Sequence, residues 1–65
     1  MTKEEHAKTI EYRANQNLIA SKRKIMELQD IYNRYNEQKD LNCLCTFSDR
    51  EKFLNKYWLW YNFRK

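Results

Sequence analysis

A chain of 65 residues with no glycine and no proline has few ways to turn sharply. Tight β-hairpins draw on glycine for positive backbone angles, and many other turns draw on proline. Helices need neither residue, so an all-α fold is predicted and an all-β one is disfavoured. The chain is short enough for one domain at most, residues 1–65. At this size little surface is buried on folding, and oligomerisation is a common source of extra stability.

The first helix is predicted over residues 3–38. It opens on a capping box, in which Thr2 accepts from the Glu5 amide and Glu5 reaches back to Thr2. Apolar residues then recur at three and four: Ala7, Ile10, Ala14, Leu18, Ile25, Leu28, Tyr32 and Tyr35. That coiled-coil-like period lasts about five heptads. Pairs at four-residue spacing, Glu4 with Lys8 and Asp30 with Arg34, support it. A bend is allowed near Asn15, Gln16 and Asn17, because Asn is a poor helix former. The stripe is small-sided up to Ser21 and large-sided beyond it.

A loop is expected over residues 39–48, where Asp40 and Asn42 favour turns and Leu41, Leu44 and Phe47 fold beneath. A second capping box, Ser48 with Glu51, starts a helix over residues 49–63. This helix carries six of the ten aromatic residues, in the run FLNKYWLWYNF. Leu54, Tyr57, Trp58 and Tyr61 share one face, Phe53 and Trp60 flank it, and Leu59 and Phe63 point elsewhere. The apolar arc is wider than one partner helix can cover.

Helix one would be about 54 Å long and helix two about 23 Å. Folded back antiparallel as a helical hairpin, the second covers only the C-terminal half of the first. Ala7, Ile10, Ala14 and Leu18 are then left as an oligomer interface, most simply in a two-fold homodimer forming a helix bundle.

Function reads less directly. Ser21, Ser48, His6 and the carboxylates form no catalytic arrangement, so a non-enzymatic protein without cofactor is expected. Cys43 and Cys45 with a distant His6 fall short of the roughly four ligands of a zinc site, and no metal is expected. His6 is expected in solvent near the N-terminal tip. Trp, Tyr and Arg dominate interface hot spots, which marks Tyr57, Trp60, Tyr61 and Arg64 as candidate protein-binding residues. The net charge of +4 also suits nucleic acid, with Arg13, Lys22, Arg23, Lys24 and Arg34 as the alternative site. A structural role within an oligomer is a third reading.

No apolar run is long enough for a bilayer span and the N-terminus lacks a signal-peptide pattern. Two close cysteines are no disulfide framework. The cytoplasm is therefore the expected compartment, with no membrane partner. A tiny helical chain rich in Asn, Lys, Ile and Tyr, as AT-rich genes encode, is similar in general character to small phage proteins that bind and divert a host protein. That likeness suggests an inhibitor of a host enzyme acting on nucleic acid.

Overall fold

The computed structural model describes residues 1–63. Among these residues the regular structure is wholly helical. There are three α-helices, α1 (Lys3–Ala14), α2 (Lys22–Tyr35) and α3 (Phe47–Phe63), with a short 3-10 turn at Leu18–Ala20 between the first two. The predicted single helix over residues 3–38 is thus two helices. The molecule measures 30 × 25 × 18 Å, and a straight helix of that length would not fit.

The break has a local cause and a tertiary one. The Asn15 amide bonds to the Tyr12 carbonyl at 3.1 Å, tightening the last turn of α1. The Asn15 side chain then accepts from the Asn17 amide at 2.9 Å, offering the backbone an alternative to helix. Ser21 restarts the helix by accepting from the Lys24 amide at 3.5 Å. Leu18, inside the connection, is buried in the core, which fixes where the chain must double back.

Contacts give the directions of the helices. Glu5 meets Arg34 and Tyr35, while Tyr12 meets Glu27, so α1 and α2 run antiparallel. Arg50, in the first turns of α3, donates to the Ile19 carbonyl at 3.0 Å, just before α2 begins. Trp60, near the end of α3, stacks on Tyr35 at the end of α2. Helices α2 and α3 therefore run in the same direction. The expected antiparallel hairpin between residues 3–38 and 49–63 is not what forms; the antiparallel pair lies within the first of those segments.

A parallel neighbour requires the connection to travel back along α2. Residues 36–46 do so, and side chains replace the missing glycines and prolines. Asn33 grips Asp40 at both backbone groups, at 2.7 and 3.0 Å. Gln29 donates to the Asp40 carboxylate and the Asn42 carbonyl at 2.8 and 2.9 Å. Asn42 accepts from the Leu44 amide at 3.1 Å. Leu44 has a φ of 58°, a conformation that costs a residue with a Cβ about 1–2 kcal/mol. Its side chain is fully buried, and that burial offsets the strain. Helix α3 then starts two residues earlier than expected: Thr46 accepts from the Asp49 amide at 3.1 Å, in place of the expected capping box of Ser48 with Glu51.

The core is Leu18, Ile25, Leu28, Ile31, Tyr32, Leu44, Phe53, Leu54 and Tyr57. It joins the connection, α2, the returning loop and α3. Helix α1 contributes to it differently: its buried residues are Glu5 and Thr9.

Candidate interaction surface

The face that α1 turns inward is polar, and Glu5, His6, Thr9 and Tyr12 each bond across it or along it. Glu5 accepts from the Thr2 amide at 2.9 Å, the Tyr35 hydroxyl at 2.5 Å and the Arg34 guanidinium at 2.6 Å. The Thr2 amide, then the Tyr35 hydroxyl, then Thr2 again and Arg34 hold its carboxyl down to about 2, against an opposing push from burial. The same bond pushes the Tyr35 hydroxyl upward. One turn on, the Thr9 hydroxyl donates to the Glu5 carbonyl at 2.8 Å. The Tyr57 hydroxyl lies 2.8 Å from the Thr9 hydroxyl oxygen; since the Thr9 proton goes to Glu5, Tyr57 is the donor in that pair. His6 Nδ1 lies 2.9 Å from the Tyr61 hydroxyl, so His6 is half-buried at a helix junction and not in open solvent. Tyr12 donates to Glu27 and is pushed up to about 12 by that bond and by burial.

The aromatic residues of α3 form a connected set. Tyr57 touches Phe53, Trp58, Trp60 and Tyr61, with ring centroids 5.3 to 6.4 Å apart. Trp60 also packs edge-on to Tyr32 at 5.3 Å and stacks on Tyr35 at 6.4 Å. Tyr57 is fully buried, which removes it from any docking surface: its ring fills the space between α2 and α3 and its hydroxyl holds α1. Trp60 and Tyr61 are half-buried and pack against the core. Arg64 lies outside the described residues.

The surface of α3 is made by other side chains. Lys52, Lys56, Leu59 and Phe63 follow one another at four, three and four residues, which is one helical stripe. All are exposed, Leu59 at 60% and Phe63 at 77%. Lys56 bonds to Asp40 at 3.0 Å, and the next residue in the loop, Leu41, is 88% exposed and does not fold beneath it as expected. The spacing of Leu59 and Phe63 away from the Leu54 and Tyr57 face was legible in the sequence. Their rank above the larger rings was not, because Trp and Tyr look more like hot spots until their partners are known.

The basic residues do not converge on one face. Arg13 lies over the Trp58 ring at 5.7 Å and donates to Asn62 at 3.2 Å. Lys24 sits over Tyr12 at 5.6 Å. Arg34 is tied to Glu5 and Asp30. Lys22 and Arg23 line an open groove between α1 and α2, but Glu4, Glu5, Glu27 and Asp30 line it too. A phosphate track needs an excess of positive charge, and this groove is balanced.

The proposed oligomer stripe is also divided. Ala7, Ile10 and Ala14 face solvent, whereas Leu18 belongs to the chain's own core. Inward-facing α1 residues follow the Glu5, Thr9, Tyr12 register instead. Among the described residues no three His, Cys, Asp or Glu side chains gather as a metal site, and no helix is long and apolar enough to cross a membrane. No protein-family model, curated protein or solved structure matches the chain.

Proposed function

We propose that this chain is a small non-enzymatic binding protein that docks on a larger protein through the outer stripe of α3 and acts by occluding the surface it covers. The observation that carries this reading is the Leu59 and Phe63 pair. Two large apolar side chains stand exposed one turn apart, on a helix whose opposite side is locked into the core. A rigid helix face with neighbouring apolar anchors is the form that fits a groove. Lys52 and Lys56 on the same stripe favour a groove with an acidic rim.

The test is capture from bacterial lysate by the tagged chain, with and without nuclease, beside the Leu59→Ser/Phe63→Ser double variant. A discrete protein retained by the wild type after nuclease, and lost by the variant at unchanged helical content, is the expected result. Equal retention by the variant moves the site off α3. Capture that disappears with nuclease means that nucleic acid is the ligand.

A further inference from the structure

Helix α1 meets the rest of the molecule through matched pairs. Glu5 bonds to Arg34 at 2.6 Å and to Tyr35 at 2.5 Å, Thr9 to Tyr57 at 2.8 Å, and His6 lies 2.9 Å from the Tyr61 hydroxyl. Helices α2 and α3 thus offer a seat of fixed pattern: a cation and a hydroxyl for one carboxylate, and a further hydroxyl for a threonine four residues on. An empty seat would uncover Tyr57, which is fully buried with α1 in place. The segment that carries the matching groups in register is α1.

The connection to α1 has the character of a hinge. Its bonds are to near neighbours: the Asn15 amide to the Tyr12 carbonyl at 3.1 Å, the Asn17 amide to the Asn15 side chain at 2.9 Å, and the Leu18 amide to the Asn15 carbonyl at 3.2 Å. Gln16 and Asn17 are exposed. From Leu18 onward the chain is anchored, by the buried Leu18 side chain and by the Ile19 carbonyl, which accepts from Arg50 at 3.0 Å. Rotation at residues 15–17 therefore releases α1 as a unit and leaves the α2–α3 core in place.

We propose that α1 is an exchangeable arm, and that the seat takes α1 of a second copy, giving a two-fold dimer by reciprocal exchange about residues 15–17. Every contact of α1 is re-formed between copies, and only the hinge changes. The arm tethered to its own chain competes at an effective concentration of about millimolar. At micromolar concentration the wild type is therefore monomeric, and a hinge too short to fold back shifts it to the dimer.

The test is charge exchange, read by native mass spectrometry and light scattering. Glu5→Lys sets like charges together within one chain, and so does Arg34→Glu. In the exchanged heterodimer of these two variants, both contacts join opposite charges. Each like-charge contact should weaken the arm about 50-fold or more, so two of them outweigh the roughly 1,000-fold gap between micromolar and the tethered millimolar. Each variant alone should stay monomeric, and the two refolded together from urea should form a 1:1 dimer. Deletion of Gln16 and Asn17 from the otherwise wild-type chain should give a dimer by itself. Two results would overturn the assignment: a mixture no more dimeric than its separate variants, or a shortened chain that stays monomeric at wild-type helical content.

Discussion

Helix α2 is held on its two sides by different physics. Toward α3 it presents Ile25, Leu28 and Tyr32 to Phe53, Leu54 and Tyr57, an apolar and aromatic contact. Toward α1 the seam is largely hydrogen bonds, Glu5 to Arg34 and Tyr35 and Tyr12 to Glu27, with a looser ion pair of Lys8 and Glu27 at 3.9 Å. Burial of a large apolar side chain is worth about 1.5–3 kcal/mol. A hydrogen bond exchanged with water nets about 1 kcal/mol. The α2–α3 side should therefore carry most of the stability, and the α1 side most of the geometric specificity, since a slipped α1 would strand a buried carboxylate.

The largest effect is expected where the apolar side is emptied. A chain of this length has about 3–10 kcal/mol of total stability. Phe53→Ala should cost about 3–5 kcal/mol, leaving little or no folded protein, as urea unfolding followed by circular dichroism would show. If that variant unfolds near the wild-type midpoint, the comparison is wrong at its root.

Glu5→Ala breaks the polar seam selectively. Amide exchange should quicken across residues 3–14 while α2 and α3 stay protected; a uniform rise would mean that α1 is integral to the core. The carboxyl also gives this seam an acid sensitivity. Its value falls from 4.5 unfolded to about 2 folded, so its stabilisation is complete above about pH 4.5 and is lost as pH falls toward 2. Glu5→Gln should flatten that part of the acid-unfolding curve. A remainder should persist from Asp40, where burial pushes the carboxyl up but Gln29, Lys56 and the Asn42 amide together bring it below its ordinary value.

Tyr57 belongs to both sides of the comparison and can divide them. Tyr57→Phe keeps the ring and removes the donor to Thr9, at a cost of about 1 kcal/mol. A double-mutant cycle with Thr9→Val should return a coupling of about 0.5–1.5 kcal/mol; a coupling of zero would mean that the hydroxyl pair does not hold α1. The smallest effect belongs to the outer stripe. Leu59→Ser should move stability by no more than about 0.5 kcal/mol, and a larger loss would place Leu59 in the core and not on the docking face.

The sequence by itself determined what depends on near neighbours. The helical class, the Thr2–Glu5 capping box, the Asp30–Arg34 pair at 2.8 Å and the turn chemistry of Asp40 and Asn42 all act within a few residues, and all were legible. The weak point at Asn15 was legible too, though not that the chain would fold completely back there. Tertiary structure alone decided the direction of α3 and the inward face of α1. Apolar periodicity pointed to Ala7, Ile10 and Ala14, yet Glu5 and Thr9 turn inward, because their partners Arg34, Tyr35 and Tyr57 stand 29, 30 and 48 residues away. A buried carboxylate with an arginine and a tyrosine in place outweighs a stripe of two alanines and one isoleucine, and only the folded chain brings those partners together. The same long-range packing turned Tyr57 from a docking residue into the centre of the core and left Leu59 and Phe63 outside.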